Sequence, residues 1–462
     1  PGIQIIAVGD MEQKIYDKTT LNVPSFIDKF LGSFERLTFT YCFRLSASHA
    51  EMLGRIWKKR IVGVNSGCVV KRMGKAEAMK FISEQDPRDI LCLGARSGLM
   101  TDVLNELEET YPAKFNKTTV YASISDDDGN RNVMPDNNCA IFTTYDSSKG
   151  MERKVCIVFD FTESNWRVRI GKPQQSYEIL RNIFCVAASR GKDYIIFVSD
   201  GEEFLSEETL LTKPEEEHPF ETMDISDMFD FKYGESIERC YKLLEISPIA
   251  EEDCSQIDIK TRDALIDLSP CVGIYQEAAY FKNYDIDKGL EMYFTTHPQE
   301  KGLYARDKYD SLDKKILLLT TLETKQRRYI EQVQPPFVQK DEKKALIKRL
   351  KSRLSAKENV QVEADISFWY ADGRLAFHAM GLADAVKEDT VYELKFVNEL
   401  SHKHFLQCAC YMVALGLPKG ILWNTRTNVL FSIAVPDRKA FLDAVTNAIT
   451  KGAILRYFQK RS

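Results

Sequence analysis

The stretch GLADAVKEDTVYELKFVNELSHKHFLQCACY, residues 381–411, decides the fold of the C-terminal half of this 462-residue chain. Its β-rich runs predict one strand over residues 380–386 and a second over residues 390–397, joined by the polar turn Lys-Glu-Asp. Glu393 and Lys395 are separated by one residue on the second strand, so their side chains point to the same face. The sequence therefore predicts a hairpin that holds a carboxylate and an ammonium group side by side.

Two carboxylates on neighbouring strands suggest a metal site. Asp384 lies on the first predicted strand and Glu393 on the second, and their oxygens would hold a hard divalent cation such as Mg²⁺ or Mn²⁺. Lys395 beside them would orient water and stabilise negative charge that develops at phosphorus. The same residues also allow a simpler interpretation, a β-hairpin with a solvated charged face, because an isolated Glu-x-Lys carries no chemistry by itself.

A helix is expected to begin at Ser401 or His402, and on it Gln407 and Tyr411, four residues apart, share a face. The order Gly-x-x-Asp, Glu-x-Lys, Gln-x-x-x-Tyr resembles the motifs of the RecB-like branch of the PD-(D/E)xK nucleases. The resemblance favours the nuclease interpretation over the solvated hairpin. It implies a catalytic set made up of Asp384, Glu393, Lys395, Gln407 and Tyr411.

The same resemblance implies a third metal ligand on an earlier helix. Gly273-x-x-x-Glu277 falls where RecB-like nucleases often carry Gly-x-x-x-His or a glutamate, so Glu277 would join Asp384 and Glu393. A helix glutamate that faces solvent is the alternative. Some RecB-like nucleases hold an iron–sulfur cluster, but the cysteine spacing here does not match that pattern.

The composition is that of an ordinary globular protein, with 44% hydrophobic and 28% charged residues. This length allows about two to four domains with their own cores. The net charge of −5 neither supports nor excludes nucleic acid, because a basic footprint can be local. The eleven cysteines include no Cys-x-x-Cys pair, and the sequence shows no secretory signal pattern and no apolar run long enough to span a bilayer. We therefore expect a cytoplasmic protein with reduced thiols and no membrane span.

In the first 200 residues strand-like and helix-like patterns alternate, and polar signatures stand at strand ends. This alternation predicts a parallel α/β domain with its ligand site along the carboxyl ends of the strands. The predicted strands cover residues 3–8, 37–46, 89–93, 139–144, 155–161 and 193–199. The predicted helices cover residues 47–58, 99–111 and 179–188.

Four of these signatures resemble, in the correct order, motifs of the UvrD-like superfamily-one helicases. They are VGDMEQKIY (residues 8–16), CFRLS (42–46), TTYDSSKGMERKVCIVFDF (143–161) and ILRNIFCVAASRGKDYIIFV (179–198). Phe43 stands where the family usually has Tyr, Asp146 replaces a His, and Met151 replaces a Leu. The resemblance covers about 190 residues and implies the second half of a helicase motor.

The resemblance also implies roles in nucleotide binding. Gln13 would sense the γ-phosphate, Phe43 would stack on adenine, and Arg44 would bind phosphate. Glu152 would contact the nucleotide sugar, and Arg190 would be the γ-phosphate arginine. Planar arginine forks suit the charged oxygens of a transferring phosphoryl group.

No Gly-x-x-x-x-Gly-Lys-[Ser/Thr] motif occurs in the chain and no acidic Asp-Glu-x-x box occurs upstream of Gly9, so we expect ATP to bind only in a more complete protein. The chain looks like part of a longer one and should not hydrolyse ATP alone. The resulting α/β division is the end of a first, incomplete RecA-like helicase domain (1–22), a second RecA-like domain (23–200), an acidic linker (201–234) and a RecB-like PD-(D/E)xK nuclease domain with helical additions (235–462).

Two charged stretches remain open to more than one interpretation. The acidic stretch 201–230 predicts a linker or a partly ordered surface, and a mimic of DNA is the alternative. Helices are predicted over residues 235–244, 256–268 and 341–354. The last has a basic face, which would be solvated or would follow a phosphate backbone.

Taken together, the patterns predict a bacterial or phage-type helicase–nuclease that cleaves DNA, with the helicase half feeding a single strand to the nuclease. The resemblance places such a protein in recombinational repair or in phage–host DNA processing, where it would pair with a partner subunit. One alternative is a non-catalytic DNA-binding or scaffold module. Another is a nucleotide-binding regulator with unrelated chemistry.

Overall fold

The computed structural model places most of the chain in two units. One consists of Pro1–Tyr111, Ala122–Asp127 and Asn137–His218, the other of Pro112–Tyr121, Asp128–Asp136 and Pro219–Ser462. Within this division the structure describes residues 6, 8–10, 13–15, 19–31, 35–95, 97–123, 133–170, 177–212, 222–230, 232–251, 253–259, 265–302, 304 and 308–459. Most of the predicted strand over residues 3–8 lies outside them.

The first unit contains a parallel sheet flanked by helices. Its strands are β1 (Tyr41–Cys42), β2 (Val62–Gly63), β3 (Val69–Gly74), β4 (Ile90–Gly94), β5 (Val120–Ser123), β6 (Ala140–Thr144), β7 (Arg153–Phe159) and β8 (Gly191–Ser199). The first two residues of β5 belong to the second unit. Its helices are α1 (Val23–Leu31), α2 (Ala47–Trp57), α3 (Lys75–Glu84), α4 (Leu99–Thr110), α5 (Glu163–Ile170), α6 (Tyr177–Ala187) and α7 (Glu207–Leu211).

The order of strands in this sheet is β3-β8-β7-β4-β6-β5, and β1 pairs separately with β2. The pairs β3–β8, β8–β7, β7–β4 and β4–β6 are all parallel. Every residue of β4 and β6 is buried, as expected for strands covered on both faces. The predicted parallel α/β architecture of this half is therefore confirmed.

The second unit contains a mixed sheet and a larger set of helices. Its strands are β9 (Thr222–Asp224), β10 (Glu245–Ile249), β11 (Asn359–Trp369), β12 (Leu375–Lys387), β13 (Thr390–Lys395), β14 (Lys419–Asn424) and β15 (Val429–Ala434). Its helices are α8 (Gly234–Tyr241), α9 (Ser269–Tyr280), α10 (Ile286–Thr296), α11 (Leu312–Thr324), α12 (Arg328–Gln332), α13 (Lys340–Arg353), α14 (His402–Ala414) and α15 (Arg438–Ile449).

In this sheet the strand order is β10-β15-β14-β13-β12-β11, with β9 also paired to β12. The β13–β14 pair is parallel, whereas β12 is antiparallel to both β11 and β13. Helix α14 packs on the central strands, and Leu406, Leu422 and Phe441 are fully buried in the core there. The helix begins at Ser401, whose side chain and that of His404 cap each other's backbone N–H groups.

Two stretches differ from the predictions. Residues 253–259 and 265–268 form no helix, although a helix was predicted over residues 256–268. The backbone there is held by distant partners instead, since Ile257 N donates to Arg426 O at 2.9 Å. The predicted strand over residues 37–46 is reduced to β1, because it pairs only with the two residues of β2.

Part of the expected acidic linker is structured. Thr222–Asp224 forms β9 against β12, and Ile225, Met228 and Phe229 are buried in the core of the second unit. The spacing of these apolar residues between acidic ones provides the burial that a solvated linker lacks. Among the helices that the structure describes, none is long and apolar enough to cross a membrane.

Candidate active site

Strands β12 and β13 separate at the point where the two predicted carboxylates stand. Their backbone pairing runs from Lys387↔Thr390 to Ala385↔Tyr392 and ends there. Just beyond this pairing, the backbone N–H of Leu394 donates to Asp384 Oδ2 at 2.6 Å. The Asp384 side chain thus takes the place of a backbone acceptor on β12.

Glu393 and Lys395 meet at this opening. Lys395 Nζ lies 2.7 Å from Glu393 Oε1, and the Glu393 side chain is only 1% exposed. Apart from this ammonium, the described residues place no hydrogen-bond donor in good geometry on either carboxylate oxygen of Glu393. Buried oxygens with so little donor contact are costly unless a cation compensates them.

Burial governs the ionisation of these groups. It raises the pKa of Asp384 to about 8, with the negative charge of Glu393 adding to the effect and Lys395 opposing it. Burial likewise raises the pKa of Glu393, against the charge of Lys395. Burial disfavours the Lys395 ammonium, but the two carboxylates outweigh it and raise its pKa. Lys395 therefore keeps its proton, whereas burial moves the pKa of both carboxylates upward, that of Asp384 to about 8.

Glu277 belongs to the same electrostatic group. It is buried on α9, and its Oε2 accepts from Gln361 Nε2 at 2.6 Å. Burial and then the charge of Asp384 raise the pKa of Glu277 well above its usual range. The alternative of a solvent-facing glutamate is therefore wrong. No sequence pattern pointed to Gln361. Its φ of +51° is unusual for a residue other than Gly, and backbone strain of this kind is often found at functional sites.

The oxygen donors of this group fit a hard divalent cation. Asp384, Glu393 and Glu277 interact through their charges, and Glu393 offers two buried oxygens without directed donors. In the described part of the chain, however, no three His, Cys, Asp or Glu side chains are close enough together to form a metal centre.

Gln407 and Tyr411 lie buried on the adjacent face of α14. Gln407 Nε2 is 3.5 Å from Tyr411 Oη, a long contact, and burial raises the pKa of the Tyr411 hydroxyl. Tyr411 also packs against Gly381, because a Cβ atom at Gly381 would lie 2.8 Å from Tyr411 Oη. The glycine and the tyrosine of the sequence motif are thus in contact.

His404 lies on the same helix and was not singled out from the sequence. Its Nδ1 accepts from Ser401 N at 3.0 Å. Burial, followed by the charge of Lys395, lowers the pKa of His404 to about 4. The imidazole is therefore neutral at physiological pH.

A buried polar network connects the strands and helices that carry the site. Thr425 N donates to Lys395 O at 2.8 Å, and Thr425 Oγ1 donates to Gln276 Oε1 at 2.6 Å. Thr425 O in turn accepts from Arg349 Nη1 at 2.6 Å. Gln276 precedes Glu277, so one threonine links α9, α13 and the end of β13. No sequence motif indicates this residue.

The comparison with known families agrees with this geometry. Residues 330–432 match the PD-(D/E)XK nuclease superfamily. The matched segment includes Asp384, Glu393, Lys395, Gln407 and Tyr411, whereas Glu277 precedes it. The nuclease part of the sequence resemblance is thereby supported. No curated protein matches the chain.

Upstream of this nuclease segment, three of the residues expected to bind a nucleotide come together. Phe43, Arg44 and Glu152 line a cavity of about 610 Å³, along with Lys192 and Asn65. Arg44 Nη1 lies 2.9 Å from Glu152 Oε2, and Lys192 Nζ lies 2.6 Å from Glu152 Oε1. The Phe43 side chain is 83% exposed.

This cavity lies at an unexpected end of the sheet. Glu152 directly precedes β7, and Lys192 is the second residue of β8, so the cavity is at the amino ends of these strands. The sequence patterns predicted the carboxyl ends. The cavity lies at the amino ends because Glu152, one of its lining residues, belongs to the loop that leads into β7.

Gln13 and Arg190 are not among the described residues that line the cavity. Gln13 Nε2 donates to Asp10 Oδ2 at 2.9 Å. Arg190 is 4% exposed, and its guanidinium donates to Val186 O at 2.7 Å and to Ser189 Oγ at 3.0 Å. Burial lowers the pKa of Arg190 to about 10, and the nearby charge of Arg44 adds to the effect.

Proposed function

We propose that the C-terminal unit hydrolyses DNA phosphodiester bonds with the help of a divalent metal ion. One observation carries the proposal. Asp384, Glu393 and Lys395 converge where β12 and β13 separate, inside the segment that matches the nuclease superfamily. Metal-assisted phosphodiester hydrolysis uses carboxylates as ligands and a nearby cation, and strongly perturbed pKa values often mark functional sites.

Each residue has a role in the proposed reaction. Asp384 and Glu393 would hold Mg²⁺ or Mn²⁺, and Glu277 would become the third ligand if the carboxylates draw closer around the ion than they stand in this structure. The ion would supply positive charge next to the scissile phosphate. Lys395 keeps its proton, orients the attacking water and stabilises the charge that develops on the phosphate oxygens. Gln407 and Tyr411 would pack beside these groups and hold them in position.

The test is cleavage of labelled single-stranded DNA with Mg²⁺ and without ATP. Asp384→Ala and Lys395→Ala should each abolish cleavage while the protein stays folded. Asp384→Asn, which keeps the shape of the side chain, guards against loss of structure. Lys419→Ala is the matched control, because Lys419 is exposed and carries the same charge. Cleavage that survives both alanine variants would refute the assignment.

The same experiment separates catalysis from the alternative of a non-catalytic DNA-binding or scaffold module. A scaffold would bind the oligonucleotide and leave it intact at every metal concentration. Parallel reactions with RNA and with double-stranded DNA establish which nucleic acid the site prefers. Intact Asp384, Glu393 and Lys395 favour catalysis, because a binding surface has no use for two buried carboxylates.

We also propose that the N-terminal unit is one half of an ATP site in a UvrD-like helicase. The cavity shared by Phe43, Arg44, Glu152 and Lys192 supports this, because it combines an exposed aromatic ring with two cations. In the complete protein, a RecA-like partner domain would contribute the Walker motifs. ATP-driven movement would then feed a single strand to the nuclease, in a bacterial or phage-infected cytoplasm and with a partner subunit.

ATP turnover tests this second proposal. The chain alone should show no DNA-stimulated hydrolysis, and robust hydrolysis would contradict the half-site. Binding of a fluorescent ATP analogue should be weak and should fall further in Arg44→Ala. The exposed Arg60→Ala is a suitable control in the same unit.

A further inference from the structure

Helix α13 presents a row of lysines on its outer face. Residues 340, 344, 348 and 351 are spaced by four, four and three, so their side chains lie along one side of the helix. All four are exposed. At 1.5 Å per residue the row is about 16 Å long. We call it the lysine stripe, and its members are Lys340, Lys344, Lys348 and Lys351.

The opposite face fixes this helix to the nuclease core. Leu346 and Leu350 are buried, and so is Arg349. The Arg349 guanidinium donates to Thr425 O, and Thr425 N donates to the backbone carbonyl of Lys395. The helix is therefore two hydrogen bonds away from the strand end that carries the proposed catalytic lysine. A strand bound along α13 would be held in a fixed relation to the site.

The charge of the stripe is largely uncompensated. Elsewhere in this unit, several lysines pair with carboxylates, as in Lys314–Asp310, Lys403–Asp230 and Lys419–Asp389. On the stripe, Lys344 alone has a carboxylate within 4 Å, and that partner, Asp341, is 95% exposed. Within the described residues, no carboxylate lies within 4 Å of the other three. A face that served solubility alone would mix the two signs of charge.

We propose that the lysine stripe binds the sugar–phosphate backbone of the nucleic-acid strand that the nuclease site cuts. The proposal rests on the proposed nuclease function and adds the surface that holds the substrate. Lysine ammonium groups act as point charges toward phosphate and read no base. The contact is therefore independent of sequence and sensitive to salt.

The test is equilibrium binding in the presence of EDTA, so that cleavage does not interfere. A fluorescently labelled 20-nucleotide single strand is titrated with the full chain at salt concentrations from about 50 to 200 mM, the range in which phosphate contacts weaken steeply. Changing all four stripe lysines to Gln should lower affinity at least tenfold at the lowest salt. The slope of log K against log salt should flatten by about 3, because four phosphate contacts contribute about 0.7 each.

Two further variants make the result specific. Changing the same four lysines to Arg keeps the charge and should keep both the affinity and the slope. Changing the exposed Lys282, Lys288, Lys301 and Lys439 to Gln removes the same charge elsewhere in the unit and should leave the slope near that of the wild type. Circular dichroism melting of each variant confirms that the exposed changes leave the fold intact.

The outcomes separate this proposal from the nuclease assignment. If the Gln variant of the stripe keeps the wild-type slope, or if the control variant flattens it equally, the lysine stripe is not the binding surface. Neither result bears on cleavage. Wild-type protein that binds the strand but never cleaves it with Mg²⁺ would instead overturn the nuclease assignment and leave the binding surface standing.

Discussion

Lys395 Nζ lies 2.7 Å from Glu393 Oε1, and both residues stand at the end of β13. Glu393 is buried and Lys395 is partly buried, so water screens their attraction weakly, and Asp384 adds a second negative charge that acts on Lys395. Lys395 thus has two tasks in the proposed site. It stabilises the ionised form of Glu393, and it presents a cation to the substrate phosphate.

Replacing this lysine separates the two tasks. Lys395→Met leaves Glu393 buried without its cation, so the pKa of Glu393 should rise further. We expect cleavage to fall by about 10²-fold or more, by analogy with the loss of other charge-stabilising groups. The residual activity should shift to higher pH. Rates measured from pH 6 to pH 10 check this, and Lys419→Met should keep the wild-type profile. An unchanged pH profile in Lys395→Met would show that the lysine does not control Glu393.

Asp384 should make the metal-free protein less stable as pH rises. Its pKa is about 8 in the folded chain, above the usual 3.8, so the folded state binds more protons than the unfolded state between these values. The free energy of unfolding therefore falls as pH rises from about 4 to about 8.

Asp384→Asn cannot ionise and should escape this loss. In EDTA its melting temperature should exceed that of the wild type by a few degrees at pH 8, and the gap should shrink toward pH 5. Mg²⁺ should stabilise the wild type more than this variant. A gap that stays constant with pH would argue against a raised pKa for Asp384.

Gly381 should tolerate a side chain only when Tyr411 gives way. Gly381→Ala brings a Cβ atom to 2.8 Å from Tyr411 Oη and 3.2 Å from Cε1, so the ring must shift. We expect a loss of about 1–3 kcal/mol in the free energy of unfolding and a clear loss of cleavage. In the background of Tyr411→Phe the same substitution should cost less stability, because the closest atom is gone. Equal costs in the two backgrounds, measured by denaturant unfolding, would contradict the contact.

Thr425 should support catalysis without touching the substrate. Thr425→Val removes the hydroxyl and leaves buried Gln276 Oε1 without this donor, a change that costs about 1–3 kcal/mol in comparable cases. Because the network ends at Lys395 and next to Glu277, we expect a lower kcat with little change in KM and a higher Mg²⁺ concentration for half-maximal rate. Thr425→Ser keeps the hydroxyl and should restore both values. A change confined to thermal stability would reduce Thr425 to a packing role.

The strands and the helix around the site could be predicted from local sequence patterns. The turn between β12 and β13 and the capped start of α14 at Ser401 follow from neighbouring residues alone. The alternation of residues along β12 and β13 was enough to predict that Asp384, Glu393 and Lys395 lie together. Such features depend on contacts a few residues long, which periodicity captures.

The remaining features depend on contacts between distant parts of the chain. Gln361 reaches Glu277 across 84 positions, and Thr425 reaches Gln276 across 149. In the sequence, Arg349 cannot be distinguished from the other cations of a basic helix. In the structure it is buried, because backbone carbonyls from another loop accept its hydrogen bonds. The segment 256–259 forms no helix for a similar reason, since its partner is Arg426 O rather than its own neighbours.

Because buried residues attach α13 to the nuclease core, this helix would affect the length of substrate that the protein can use. The stripe is roughly 16 Å long, so a single strand bound along it would cover only a few nucleotides. Helix α13 would then bind a constant length of the strand next to the cleavage site. Oligonucleotides too short to contact both the lysine stripe and the active site would be released early. Digestion would therefore end on short fragments of uniform size.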